Sequence, residues 1–582
     1  MKKEYIILII LIIGTFLLRT LGQLDKVLID GQVLFRGVDS WYQMRVVDNL
    51  MVNFPIPLGW GMFATPLGGM VGYYPLLGWI IAGVSKLTGL NYELVAAFLP
   101  PVLGSLILIP VYFLGKELFG KGVALVSCLL IAFIPGELFH RSLLGFTDQH
   151  IIESILMVTT VLFVILGYKY GKLKYKIGAG ITLGLFALNW HGTGFFLLIL
   201  GVGFLVEFYR KYLRKEDTSQ LCKDTSLILS IGLVISIPYL LIGLAGINTI
   251  IAFSILIIGP FILRKISQSI SKKVLIISSC TTLVGIIFVS IFPFDGRLFA
   301  TLRILGITAI FWGRGTTILE ASPTDLEVAF NIYGIIVFLA PAGLYYAIKR
   351  KGNSLFIVWT IILIIATLGQ RRWGYYSTIP IALLSAYLIF TISNWFSQKT
   401  RTAIIVIICI FAIMPIVKST VGIAVLPNDI NGDWYNSCIW LRENTPEPFQ
   451  DPDAYYKLNF KEEADYSILA WWDYGHWIIR AGHRVPLTSP TKQSVELPSF
   501  FFTAQSEEEA NKVLEGSSVR YIIVSKEEIT GKFYAIVKKS RIPDSEIKEI
   551  YPNSMVLKLV RGETNSWKEI YGNGTVKIFE RV

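Results

Sequence analysis

The chain has 582 residues, of which 53% are hydrophobic and 16% charged, with a mean hydropathy of +0.59. No water-soluble globular core needs that much apolar surface, so the class is a polytopic α-helical membrane protein, and the formal charge of +12 is what such proteins gather in cytoplasmic loops rather than a sign of nucleic acid. Five cysteines, with only Cys438 in the polar last quarter, exclude a disulfide framework.

Lys2-Lys3 leads into an Ile/Leu run without a small-residue cleavage site, which reads as a retained first helix and not as a removed signal peptide. Apolar spans of bilayer length are expected near 5–22, 94–115, 122–138, 150–168, 175–190, 192–209, 226–244, 247–263, 273–292, 327–347, 355–369, 375–395 and 402–420. A further stretch, 74–90, is shorter and broken by Gly78, Gly83 and Lys86. Basic clusters settle its status, because Lys and Arg mark the cytoplasmic side. They lie at Lys2/Lys3, Lys116/Lys121, Lys169/Lys172/Lys174/Lys176, Arg210/Lys211/Arg214/Lys215, Arg264/Lys265/Lys272/Lys273, Lys349/Arg350/Lys351 and Lys399/Arg401. All fall on one side only if 74–90 does not cross. About thirteen crossings result, with a cytoplasmic N-terminus and everything after about 421 outside. The expected organisation is a transmembrane part, 1–420, with external loops 23–93 and 293–326, followed by a globular domain, 421–582. In that tail "EEEANKVLEG" has helical spacing, "VRYIIVS" is a short buried-strand run, and the whole reads as mixed α/β.

The external segments hold charges that topology does not explain. "FRGVDSWYQMR" carries Asp39, "GFTDQH" carries Asp148 and His150, "TTILEASPTD" carries Glu320, and "GQRRWGYY" carries Arg371 and Arg372. Taken singly, Asp39 reads as a helix cap or a solvated loop charge, Asp148 as an N-cap no less than a ligand, Glu320 as a weak signal, and the arginines as headgroup anchors. Taken jointly, carboxylates and an imidazole from separate external loops match the donors of a divalent ion. Two arginines on the side that disfavours them offer forked donors to phosphate. The combination suggests transfer from a lipid-linked phosphate at a membrane surface.

With these residues in view, the chain resembles the catalytic subunit of oligosaccharyltransferase, of the archaeal AglB type, with bacterial PglB and eukaryotic relatives. Trp471-Trp472-Asp473-Tyr474-Gly475 is similar to that family's signature. Gly37-Val38-Asp39 looks like its first acidic motif, Asp148-Gln149-His150 its second, and Thr317-Ile318-Leu319-Glu320 its Thr-Ile-x-Glu motif. Arg372, followed by an aromatic and preceded by Arg371, looks like the arginine that binds the lipid-linked phosphate. "ITGKFYAI" supplies Lys532 and Ile536 for a second acceptor-pocket motif, but Ile529 stands where the family has Asp.

The resemblance implies a glycosyltransferase of the GT-C type acting as a single subunit in the cell membrane. The implied reaction moves an oligosaccharide en bloc from a dolichyl mono- or diphosphate carrier to the Asn of Asn-x-Ser/Thr in an acceptor protein, with inversion at the anomeric carbon. Asp39 and Glu320 would orient the acceptor amide. Asp39, Asp148 and His150 would hold Mn²⁺ or Mg²⁺, with Zn²⁺ as a further candidate and Glu320 as a shared ligand. Asp473 would accept the sequon hydroxyl, shielded by Trp471 and Trp472. Trp190 and His191 are candidates for lining the glycan site, an interfacial anchor being the equal alternative for Trp190. A rival reading is a polytopic glycosyltransferase acting on a lipid or another acceptor, which needs no Trp-Trp-Asp-Tyr-Gly pocket. A transporter would instead place its charges within broken spans near the midplane.

Overall fold

A computed structural model describes residues 2–55, 60–61, 69–70, 75–190, 192–241, 246–271, 273, 320, 322–451, 453–458, 462–490 and 495–582. His191, the expected span 273–292 and most of the loop 293–326 lie outside the described residues. The chain forms two compact units, and neither is continuous in sequence. The first comprises Met1–Leu24, Phe98–Leu144 and Gln149–Leu426; the second comprises Asp25–Ala97, Gly145–Asp148 and Pro427–Val582. A single division near 420 therefore does not describe the units: the first external loop belongs with the C-terminal part.

Among the described residues of the chain, eight helices are long and apolar enough to cross a membrane, or nine if Leu326–Tyr333 and Ile336–Lys349, bent by 94°, form one span. Three expected crossings are the shorter helices Lys121–Phe133, Leu173–Ala187 and Ser354–Gly369, of 13, 15 and 16 residues. At about 1.5 Å per residue they are shorter than the ~30 Å hydrocarbon core of a bilayer. Small residues let the first unit's helices approach closely: a Cβ on Gly180 or Gly184 would meet Ile231 or Ile235 at 2.5 and 2.7 Å. The helix Gly374–Ser393 is almost wholly buried and carries Arg371 and Arg372 just before its first turn. At another end of this unit, Lys121 pairs with Glu4 at 3.0 Å and Lys169 with Glu117 at 2.6 Å. Three of the basic clusters are thereby held together.

The second unit is built on the helix Val38–Asn53 and a four-stranded sheet. Two hairpins precede the sheet in the chain, β1 (Leu28–Ile29) with β2 (Gln32–Val33) and β3 (Trp60–Gly61) with β4 (Gly69–Met70). The sheet comprises β5 (Ser467–Leu469), β6 (Val519–Ser525), β7 (Trp567–Asn573) and β8 (Val576–Arg581), in the order β5-β6-β8-β7. β5 and β6 run parallel, and the other pairs are antiparallel. The strand and helix read from "VRYIIVS" and "EEEANKVLEG" are β6 and Glu507–Val513, the latter capped by the Ser506 side chain. The 74–90 stretch is a 13-residue helix, Leu76–Thr88, whose Ala82 packs on Val46 and Leu50 of the Val38–Asn53 helix.

Candidate active site

Each unit carries one group of the residues singled out in the sequence. In the first unit, Arg371–Trp373 form a 3-10 turn. The Arg371 amide donates to the Ser322 carbonyl at 2.9 Å, and the Thr324 amide to the Leu368 carbonyl at 3.1 Å, which ties the turn to the segment after Glu320. The charged side chains then alternate. Arg371 Nε donates to Glu137 Oε1 at 3.1 Å, Glu137 Oε2 lies 3.5 Å from Arg141 Nε, and Arg141 Nη2 donates to Glu320 Oε2. Burial pushes the Glu320 carboxyl up, but the nearby positive charges of Arg141, His150 and Arg372 outweigh it and hold the group below the usual carboxylate range. Arg372 differs from its neighbour: its Nε is buried without a hydrogen-bond partner among the described residues. Three guanidinium groups (141, 371, 372) thus alternate with the carboxylates of Glu137 and Glu320.

His150 opens the helix His150–Tyr170. Its ring stacks on Tyr375 at 4.6 Å between centroids, and its Nδ1 lies 3.2 Å from Glu153 Oε2, which also accepts from the Tyr376 hydroxyl. A carboxylate on one ring nitrogen fixes the ring and, when that nitrogen carries the proton, leaves the lone pair of the other for an ion. Trp190 is 5% exposed, packed against Trp373 at 5.8 Å and Tyr376 at 6.0 Å.

In the second unit Asp39 is exposed in the first turn of its helix. Gly37, at φ +73°, donates its amide to Asp429 Oδ2 at 2.7 Å, and a Cβ there would sit 3.1 Å from the Phe146 ring. Both the left-handed backbone and the close approach require glycine. The Arg36 amide donates to the Gly145 carbonyl at 2.9 Å, so the segments leading to Asp39 and to the buried Asp148 are joined at the backbone. Among the described residues no three His, Cys, Asp or Glu side chains form a group able to hold a metal. Within the first unit Glu153 holds His150 and Arg141 holds Glu320. The donor chemistry nevertheless fits a divalent ion, with two carboxylates on joined segments and a histidine oriented by a carboxylate.

The Trp-Trp-Asp-Tyr-Gly segment follows β5. Trp472–Tyr474 make a 3-10 turn that runs directly into the helix Gly475–Arg480. A Cβ on Gly475 would meet Ser489 Cα and the Thr488 carbonyl at 2.7 Å, so glycine lets the turn lie against the 488–489 segment. Lys532 Nζ donates to Asp473 Oδ2 at 3.1 Å, sits 4.2 Å over the Tyr474 ring, and lies 3.4 Å from Glu527 Oε2. Tyr474 donates its hydroxyl to the same Glu527 oxygen at 2.9 Å. Glu527 therefore brings to Lys532 the carboxylate that Ile529 lacks. Ile529 itself only accepts from the Tyr551 hydroxyl at its carbonyl. Trp471 is buried, and the Trp472 Nε1 is a buried donor without a partner among the described residues. Ile536 is fully buried, on the helix Phe533–Lys539 that follows Lys532.

Sequence reasoning missed Arg141, Glu137, Glu153 and Glu527. A signal for the first pair was present: Glu137 and Arg141 stand four apart in the external segment that also carries Asp148.

Fold and site together define a membrane-embedded group-transfer enzyme with a globular binding domain. Residues 9–426 match the family described as "Oligosaccharyl transferase STT3, N-terminal", and residues 431–530 match "AglB core domain". The chain belongs to the oligosaccharyltransferase catalytic-subunit family, in its archaeal AglB branch. It is 27% identical to the dolichyl-phosphooligosaccharide-protein glycotransferase 3 of Archaeoglobus fulgidus, over 92% of this chain and 71% of that protein. The apo oligosaccharyltransferase of the same organism superposes with a TM-score of 0.86 at 23% identity, covering 98% of this chain and 80% of the other. The A. fulgidus AglB in complex with an inhibitory peptide and a dolichol-phosphate gives a TM-score of 0.84 at 23% identity, covering 98% and 79%. At such identity these two likenesses establish the fold.

Proposed function

We propose that this chain catalyses protein N-glycosylation, moving an oligosaccharide en bloc from a dolichyl mono- or diphosphate to the Asn side chain of an Asn-x-Ser/Thr sequon. The observation that carries the reading is the Asp473–Lys532 pair beside the unpartnered Trp472 indole N–H. The pair is partly exposed, with Lys532 over the Tyr474 ring, so Asp473 can take a further hydrogen bond from a small hydroxyl. The A. fulgidus relatives support the donor and acceptor classes through a dolichyl-phosphooligosaccharide glycotransferase and a peptide and dolichol-phosphate complex.

An amide nitrogen is a weak nucleophile because its lone pair is shared with the carbonyl. Asp39 and Glu320 would accept its two N–H bonds, turn it toward the anomeric carbon and weaken that conjugation. Arg141 fixes the Glu320 carboxylate and keeps it ionised, as an acceptor must be. Arg372, with its unused Nε, would grip the leaving phosphate, and Arg371 would act mainly by shaping that grip through Glu137. The nitrogen–carbon bond forms as the sugar–phosphate bond breaks, the electron pair leaves with phosphate, the configuration inverts, and the proton that the amide nitrogen gives up passes to one of the two carboxylates or to the departing phosphate. Asp39, Asp148 and His150 would hold a divalent ion (Mn²⁺, Mg²⁺ or Zn²⁺), which when bound supplies positive charge beside the departing phosphate. The acceptor domain lies outside the cell and the N-terminus inside, in keeping with the gathered basic clusters. The chain acts as a single subunit.

The test is peptide glycosylation with purified protein, lipid extract and a fluorescent Asn-x-Thr peptide. Transfer should stop in excess EDTA and return with Mn²⁺ or Mg²⁺. No transfer under any of these conditions overturns the reading, and full activity in EDTA overturns the ion.

A further inference from the structure

Asp39 and Asp473 head two helices of the same compact unit, and these helices lie side by side. Tyr42, three residues after Asp39, packs against His476, three residues after Asp473, with ring centroids 5.2 Å apart and the rings tilted by 44°. Further along, Asp48 meets Arg480 in a two-point contact: Nε to Oδ2 at 3.1 Å and Nη2 to Oδ1 at 3.2 Å. The contacts 42–476 and 48–480 run in the same sense, so the helices are parallel and their N-terminal ends, carrying Asp39 and Asp473, share one end of the pair. Asp48 is further held by the hydroxyls of Tyr455 at 2.9 Å and Tyr92 at 3.0 Å, and Arg480 also donates to Glu93. Arg45 lies 3.6 Å over the Tyr455 ring and donates to the Tyr455 carbonyl. The side chains of Asp48 and Arg480 are 8% and 9% exposed. The reaction uses none of these groups.

We propose that the Asp48–Arg480 pair is a positioning device that fixes the distance between the Asn-amide carboxylate, Asp39, and the hydroxyl acceptor, Asp473, and so sets the spacing of the sequon. The inference rests on the sequon reading above. A planar guanidinium gripping a carboxylate at two points defines both separation and rotation of the helices, whereas an ammonium would define only separation. Burial makes the register steep, because sliding one helix by a turn strands both charges in a low-dielectric interior. Two rigid arms, one from Asp39 to Asp48 and one from Asp473 to Arg480, carry that register to the pocket. A sequon has a fixed interval between amide and hydroxyl, so a pocket that selects it needs such a gauge.

The experiment compares Arg480→Lys and Asp48→Asn with the native enzyme on Asn-x-Thr, Asn-x-Ala and Asn-x-x-Thr peptides. Arg480→Lys keeps the charge, and Asp48→Asn keeps the shape and supplies a second variant should the first not fold. Kcat/KM for Asn-x-Thr should fall by about tenfold or more, mainly in kcat, since misplacement at this scale is costly. Asn-x-Ala should change by less than about twofold, because it makes no contact at Asp473 for the register to serve. The ratio of Asn-x-x-Thr to Asn-x-Thr should rise, and KM for the lipid donor should stay constant. Equal losses on all peptides, or no loss in a folded variant, overturn the proposal. A native enzyme that does not prefer Asn-x-Thr over Asn-x-Ala overturns the sequon reading instead.

Discussion

In the first unit the charges are chained. Arg371 holds Glu137, Glu137 approaches Arg141, Arg141 holds Glu320, and the Arg372 Nε has no hydrogen-bond partner among the described residues. In the second unit Asp473 and Lys532 form one pair at a half-open rim, their side chains 26% and 28% exposed. The chain of charges differs from the pair in its number of partners and not in exposure, since Glu320 is 36% and Arg371 29% exposed: Glu137 is shared by two guanidiniums, so each link holds its neighbour in place. A pair open to water is worth at most about 1 kcal/mol, so an incoming hydroxyl can share Asp473 with Lys532 at little cost. The first unit thus offers a network of linked charges and the second a single exchangeable pair.

Five substitutions break or sharpen that contrast. Asp39→Ala has the largest expected effect, because it removes an amide acceptor and an ion ligand together: transfer to Asn-x-Thr should fall by at least about a hundredfold, read by initial rates at saturating donor. A loss below tenfold would take Asp39 out of the chemistry.

Asp473→Ala should weaken Asn-x-Thr binding by roughly ten- to hundredfold, the worth of a charge-assisted hydrogen bond of about 1.5–3 kcal/mol. Asn-x-Ala should be hurt much less, and peptide binding to native and mutant protein completes a thermodynamic cycle. Equal losses on both peptides would mean that Asp473 merely holds the domain together.

Arg372→Ala should raise KM for the lipid donor by about tenfold, while Arg371→Ala should raise it by only about two- to threefold because that guanidinium is already engaged with Glu137. Donor-concentration series for the two mutants check this, and the reverse order would assign the phosphate grip to Arg371 instead.

Glu528 gives the smallest effect on transfer. It is fully buried in the capping box beside Ser525, and burial pushes its carboxyl from 4.5 up to about 7. An acid raised by folding binds its proton more tightly in the folded state, so stability is highest below about pH 4.5 and declines as pH climbs to about 7. Glu528→Gln should flatten that decline in the thermal midpoint of the intact protein between pH 5 and 8. An unchanged slope would assign it to other groups.

Much of the molecule was legible in the chain alone, because the relevant signals are local. Runs of apolar residues mark helices at most of the expected spans, the continuous apolar run at 519–525 is β6, and the Ser506 cap with helical spacing is Glu507–Val513. The Trp-Trp-Asp-Tyr-Gly motif, Lys532 and the acidic motifs were visible as unusual residues in external segments, and Lys532 does meet Asp473. Only the tertiary structure decided which charges neutralise one another, since Glu320 finds Arg141 across 179 positions and Arg371 finds Glu137 across 234. The same holds for the second unit, where residues 25–97 and 145–148 fold with the C-terminal part through backbone bonds such as Arg36 to Gly145. Burial of Trp190 and Ile536, and the meeting of Asp48 with Arg480, are likewise outcomes of packing. Hydropathy and capping act over a few residues and can be read in order along the chain. Ion pairing and burial depend on where the chain returns in space, which no window of the sequence contains.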